Sequence, residues 1–104
     1  MKEQVYEFLL TIPKGKVVTY KQIAEYLGNA KLARVVGNIL HNNPNKDKYP
    51  CYKVVNSKGK LSTQFAFGGI EMQRKKLLEE NIVVKDDIVD LKTYQFLFNK
   101  TTKK

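Results

Sequence analysis

Cysteine is nearly missing from this chain: Cys51 is the only one in 104 residues, and His41 is the only histidine. A single thiol cannot close an intramolecular disulfide, so it is either a small buried hydrophobe or a nucleophile. One cysteine and one histidine cannot complete a zinc site, and neither a metal nor an organic cofactor is expected. No apolar run approaches the roughly 18 residues that a membrane span needs. Internal repeats and low-complexity tracts are missing as well. What remains is one small domain with a single core, with no visible export signal and no disulfide framework, which points to a soluble cytoplasmic protein.

Acidic residues are scarce where basic ones gather. Residues 13 to 60 hold ten Lys or Arg against only Glu25 and Asp47, a net of +8 out of the chain's +9. Such a segment reads either as a solubilising surface or as the footprint of a polyanion, because clustered Lys and Arg attract phosphates and release counterions on binding.

The pattern along the chain is mostly helical. Val5, Phe8, Leu9 and Ile12 recur at helical spacing until Pro13 and Gly15 stop the run. Thr19 followed by Gln22 predicts a capping box opening a helix from Tyr20 to Leu27, which Gly28 ends. Asn29 is placed to cap the next helix, whose apolar stripe is Leu32, Val35, Val36, Ile39 and Leu40. Two short helices around a Gly-Asn turn suggest a helix-turn-helix. Lys31, Arg34, Asn38 and His41 on the second helix include no acid.

Asn42-Asn43-Pro44-Asn45 reads as a loop, Cys51 to Val55 as a short buried strand or turn, and Asn56-Ser57-Lys58-Gly59 as a turn. Phe65 to Gly69 is an aromatic-lined segment leading into a helix from about Ile70 to Glu80, with Asn81 as a left-handed cap. Ile82 to Val84 and Ile88 to Leu91 predict a hairpin, and residues 101 to 104 a frayed tail. Local chemistry leaves Cys51 open. A nucleophilic thiol needs a nearby base or cation; Lys53 supplies charge two positions away, whereas the Tyr52 phenol is protonated at neutral pH. Arg34 is either a solvated helix cation or a side chain reaching into a groove.

Taken together, Ile12-Pro13-Lys14-Gly15-Lys16-Val17-Val18-Thr19-Tyr20, Leu27-Gly28-Asn29, Ala33-Arg34-Val35-Val36-Gly37, Asn43-Pro44, Pro50-Cys51-Tyr52-Lys53-Val54-Val55, Gly59 and Gly68-Gly69 resemble the C-terminal DNA-binding domain of the O6-alkylguanine-DNA alkyltransferases and the alkyltransferase-like proteins. The resemblance spans roughly residues 5 to 82. It implies a mainly α fold with small β elements, a winged helix-turn-helix that binds the DNA minor groove and extrudes the damaged base. On that basis residues 1–104 form a single domain of this type, with a core over 1–82 and a hairpin and tail over 83–104.

The resemblance also assigns roles. Arg34 matches the arginine that fills the gap in the base stack, Tyr20 the tyrosine that crowds the neighbouring phosphate, and Asn43 the hinge asparagine. Cys51 matches the alkyl acceptor, and Glu80 the glutamate that orients the family histidine. The implied DNA contacts are Tyr20, Arg34, Asn38, Asn43 and Lys53; the implied lesion pocket is Tyr20, Pro50, Cys51, Phe67 and Gly68.

The family motif is Pro-Cys-His-Arg-Val, and here Tyr52 and Lys53 stand in the His and Arg positions, so the general base is replaced by a phenol. The family tyrosine of the segment around Phe65 to Gly69 has no clear counterpart. Alkyltransferase-like proteins lack the N-terminal domain of the alkyltransferases, are about this long and usually lack the cysteine. Retention of Cys51 favours irreversible transfer of the alkyl group to it, with Cys51, Tyr52 and Glu80 as the catalytic set. The alternative is a non-enzymatic protein that binds the lesion and recruits another repair pathway. The implied partner in either case is duplex DNA containing O6-alkylguanine, bound by a monomer, with other repair proteins joining in the second.

Overall fold

A computed structural model of the chain describes residues 1–45, 47–61 and 68–97. Helix α1, Lys2–Leu9, buries Val5, Tyr6, Phe8 and Leu9 on one face, the spacing that its apolar residues dictate. A two-residue strand β1, Val18–Thr19, runs directly into α2, Tyr20–Tyr26. The capping box predicted there is present: the Gln22 N–H donates to Thr19 Oγ1 at 3.1 Å, and the Thr19 N–H donates to Gln22 Oε1 at 2.8 Å. Gly28, with φ +105°, takes the left-handed turn that ends the helix.

Asn29 does act as a cap, accepting from the Lys31 N–H, but the turn it opens is a 3-10 turn, Ala30–Leu32. That turn passes into α3, Ala33–His41, which buries Val36, Ile39 and Leu40. Val35, expected in the apolar stripe, is 40% exposed instead. At about 100° per residue, Val36, Ile39 and Leu40 span an arc of about 100° on the helix, and Val35 falls about 40° beyond its edge, toward Arg34 and Asn38.

The segment at Cys51 takes both of the forms expected of it, a turn and then a short strand. Cys51–Lys53 forms a 3-10 turn that delivers the chain into β2, Val54–Val55, parallel to β1 with Val18 opposite Val54 and Thr19 opposite Val55. Side chains alternate across a strand pair, and here the alternation divides the core. Val18 and Val54 join Cys51 and the inner faces of α1, α2 and α3, while Val17 and Val55 pack with Leu61, Leu77, Ile82 and Val89.

Helix α4, Gly69–Glu79, ends with Asn81 in the left-handed region at φ +66°. Strands β3, Val84–Lys85, and β4, Ile88–Val89, pair as an antiparallel hairpin. Asp86 and Asp87, both at positive φ, make its two-residue turn. The second strand stops two residues earlier than expected, because the Asp90 side chain accepts from the Lys92 N–H and opens a short helix α5, Leu91–Tyr94. Val89 is 1% exposed, so the core continues past residue 82. The chain then returns to its N-terminal half: the Val17 N–H donates to Tyr94 O at 2.8 Å, and the Phe96 N–H to Val17 O at 2.7 Å. Among the described residues, no helix is long and apolar enough to cross a membrane.

Candidate functional site

The parallel pair β1–β2 places the two halves of the candidate site side by side. β1 feeds Tyr20 at the first position of α2, and the turn preceding β2 carries Cys51, Tyr52 and Lys53. Cys51 is 6% exposed within the cluster of α1, α2 and α3. Burial raises the pKa of its thiol; a hydrogen bond from the Asn43 side chain, a backbone hydrogen bond and the charge of Lys76 oppose this without overcoming it.

Tyr52 lies one residue on and packs against the second cluster. Its hydroxyl donates to Glu80 Oε2. Burial raises the phenol's pKa far above its usual value, and the Glu80 hydrogen bond and charge add to the shift. Gln73, fully buried, donates its amide to the carbonyls of Tyr52 at 3.0 Å and Val54 at 3.1 Å, fixing the turn from below.

Glu80 binds on both oxygens. Oε1 accepts from the Gly15 N–H at 3.0 Å and pairs with the Lys53 ammonium at 3.0 Å. Burial alone would raise this carboxyl, but the donors Tyr52, Gly15 and Lys53 outweigh burial and hold its pKa below the ordinary value.

Lys53 corrects an expectation. Read from sequence as a DNA contact, it is 4% exposed and points inward, with its ammonium also donating to the carbonyls of Ile12 at 3.3 Å and Pro13 at 3.2 Å. A cation so enclosed has no surface to offer a phosphate. Asn43 is corrected in part: it is 7% exposed, donates to Tyr49 O at 2.9 Å and accepts from the Asn45 N–H at 2.9 Å, which makes it a loop brace beside Cys51 and not a surface contact.

Tyr20, Arg34 and Asn38 fall on the outer side. Arg34 and Asn38 are exposed on α3, and Tyr20 is half-buried. A cavity of about 440 Å³ is lined by Tyr20, Lys21, Ala33, Arg34, Asn56 and Ser57, with Ala30 and Gly37 completing its floor. Of the expected lesion-pocket residues, Tyr20 lines this cavity whereas Pro50, Cys51 and Gly68 do not. Phe67 and the aromatic segment before it lie outside the described residues. No local pattern in the sequence connects Asn56 and Ser57 with Arg34, apart from the basic residues Lys58 and Lys60 of the same turn. Among the described residues, no group of three or more His, Cys, Asp or Glu could hold a metal ion.

Residues 1–82 match the family described as 6-O-methylguanine DNA methyltransferase, DNA binding domain. The chain belongs to this family. Within it, the chain is 40% identical over 83 residues to a DNA base-flipping protein of Vibrio parahaemolyticus, an alignment covering 80% of this chain and 81% of that protein. It is 37% identical over 92 residues to a bifunctional methyltransferase/endonuclease of Picrophilus torridus, covering 88% of this chain but only 30% of the relative. A crystal structure of the S. pombe alkyltransferase-like protein Atl1 in complex with damaged DNA containing O6-carboxymethylguanine superposes with a TM-score of 0.83 at 30% identity, covering 92% of this chain and 94% of that one. The fold is therefore the mainly α winged helix-turn-helix of the alkyltransferase DNA-binding domains. Both the methyltransferases and the alkyltransferase-like proteins are among its relatives.

Proposed function

We propose that this family member is a DNA-repair protein that binds duplex DNA through α3, takes a flipped O6-alkylguanine beside Cys51, and holds it without rapid alkyl transfer. The observation that carries this reading is the hydrogen bond from Tyr52 to Glu80. A thiol becomes a nucleophile by losing its proton to a base. Here the neighbouring side chain is a donor, its phenol is hard to ionise, and the carboxylate behind it has a lowered pKa. Moving a proton from a thiol of raised pKa through this chain to Glu80 runs uphill at both ends.

Tyr20 and Arg34 support the DNA-binding part, since both line one cavity on the exposed side of the helix pair, and no acidic side chain among the described residues lines it. The protein acts as a monomer and marks the lesion for other repair proteins.

A second reading, irreversible alkyl transfer to Cys51, is favoured by the Asn43 hydrogen bond and the Lys76 charge, both of which stabilise the thiolate. One experiment separates the two: incubation with a duplex carrying O6-methylguanine, followed by intact mass, peptide mapping and a binding titration against undamaged duplex. Lesion-selective binding at unchanged mass is the expected result. Prompt gain of one methyl on the Cys51 peptide would overturn the non-catalytic reading. Equal affinity for damaged and undamaged duplex would overturn lesion recognition itself.

A further inference from the structure

Gln73, Lys76 and Glu80 recur at intervals of three and four residues, so they share the face of α4 that meets the Cys51–Lys53 turn. Gln73 is bonded to the carbonyls of Tyr52 and Val54, and Glu80 to the Tyr52 hydroxyl, the Gly15 N–H and the Lys53 ammonium. Lys76 does something else. Partly buried, it lays its ammonium over the face of the Tyr52 ring, 5.7 Å from the centroid. Among the described residues it forms no ion pair.

The charges around Cys51 therefore do not cancel. Glu80 is matched by Lys53 at 3.0 Å, and the Cys51 thiol and the Tyr52 phenol are both neutral at pH 7, as their raised pKa values require. Glu79 follows Lys76 closely in sequence but is exposed, where solvent and salt screen it. Lys76 is a surplus cation held against an aromatic face one residue from the thiol, and its charge reaches Cys51. A cation–π contact orients an ammonium without neutralising it, which leaves the charge available to an anion.

We propose that Lys76 sets the specificity of this site, favouring O6 substituents that carry a negative charge, such as carboxyalkyl groups, over neutral groups of the same size. The inference rests on the proposed entry of a flipped O6-alkylguanine beside Cys51, and adds to it a preference within that lesion class. The O6 substituent is the part of such a base that faces the thiol, so its outer end falls in the field of Lys76. A carboxylate there gains a charge-assisted contact in a partly desolvated place, where it is worth more than at the open surface. A neutral substituent leaves the ammonium unmatched. Specificity is then a difference of two affinities that one side chain controls.

Fluorescence anisotropy with two duplexes tests this, one carrying O6-carboxymethylguanine and the other its neutral isostere, O6-carbamoylmethylguanine. Wild type should bind the first about tenfold more tightly, the order of one hydrogen bond to a charged group. Lys76→Met and Lys76→Gln, two neutral variants whose folding is checked by thermal unfolding, should bring the ratio to about one, whereas Lys76→Arg should keep most of the preference. The same pair of groups can be offered without DNA as iodoacetate and iodoacetamide. The ratio of their rates at Cys51 should fall about threefold or more from wild type to Lys76→Met. Equal wild-type affinity for the two adducts, a preference that survives in the neutral variants, or a reagent ratio that Lys76→Met does not move would overturn the role of Lys76 and leave lesion binding intact. If wild type binds neither adduct more tightly than undamaged duplex, lesion recognition itself falls and the inference falls with it.

Discussion

The hydroxyl of Tyr52 donates to Oε2 of Glu80, while Oε1 of the same carboxylate is shared by the Gly15 N–H and the Lys53 ammonium. Both oxygens are therefore engaged, by donors reaching in from two separate segments of the chain. Such a carboxylate orients its neighbours strongly and accepts a further proton poorly. That single arrangement links the fold to the chemistry, because it ties the Cys51–Lys53 turn, the loop after α1 and the end of α4 into one unit.

The relation predicts what a base at position 52 would do. An imidazole there would donate to Glu80 through one nitrogen and leave the other as an acceptor for the thiol proton. Tyr52→His is expected to speed alkyl transfer from O6-methylguanine DNA to Cys51 by about 10²-fold, the lower end of the range of about 10²–10⁴ that positioned general bases contribute. Single-turnover mass spectrometry of the Cys51 peptide measures it. Identical rates for the variant and wild type would mean that proton removal is not what limits transfer.

Glu80 also predicts how stability depends on pH. Its folded-state pKa lies below the ordinary value of 4.5. A carboxylate of this kind contributes stability that is fully present above its unfolded pKa and is lost as pH falls through the folded one. Wild type should therefore lose Tm progressively below about pH 4.5, a loss that Glu80→Gln should show less of. At pH 7, Glu80→Gln leaves the Lys53 ammonium buried without an anion and should cost about 3 kcal/mol, read by urea denaturation. A cost within experimental error of zero would show that the ammonium relaxes to solvent.

Much of this arrangement was legible in residues that act over a few positions, and little of it in those that act across the chain. The Thr19–Gln22 capping box, the stop at Gly28, the left-handed Asn81 and the turn at Asn56 each follow from chemistry within about four residues, and each was readable. Lys53 was misread because its partner, Glu80, is far away in sequence, and no local pattern distinguishes a cation that turns inward from one that faces solvent. Val35 is exposed where the stripe expects it buried, because a stripe drawn by residue type takes in a position about 40° beyond the arc that Val36, Ile39 and Leu40 occupy. The roles taken from the family resemblance identified Cys51 and Glu80 as neighbours of Tyr52, but the direction of proton donation between Tyr52 and Glu80 comes from the geometry.

The environment of Cys51 predicts a sluggish thiol. At 6% exposure and with its pKa raised mainly by burial, little thiolate is present or reachable at neutral pH. Iodoacetamide at pH 7.4 should modify native Cys51 at least about tenfold more slowly than the same residue in urea-unfolded protein. Asn43→Ala should slow it further, because the hydrogen bond that favours the thiolate is gone. A native rate equal to the unfolded one would contradict the burial on which the non-catalytic reading depends.

Gln22 joins the start of α2 to the end of the described chain, and this predicts an energetic coupling. Its Oε1 accepts from the Thr19 N–H at 2.8 Å and from Gln95 Nε2 at 2.8 Å, while its Nε2 donates to Phe96 O at 2.7 Å. The capping box that positions Tyr20 is thus also the attachment point of the segment after α5. Gln22→Ala should cost about 2 kcal/mol, the sum of a lost cap and a stranded carbonyl. Gln95→Ala removes one hydrogen bond and should cost about 1 kcal/mol. Since the two side chains bond each other, the double variant should lose less than the two separate costs together, by about 0.5 kcal/mol or more. Urea denaturation of the four proteins completes the cycle. Strict additivity would mean that the two glutamines act independently, and that the C-terminal segment does not brace the helix carrying Tyr20.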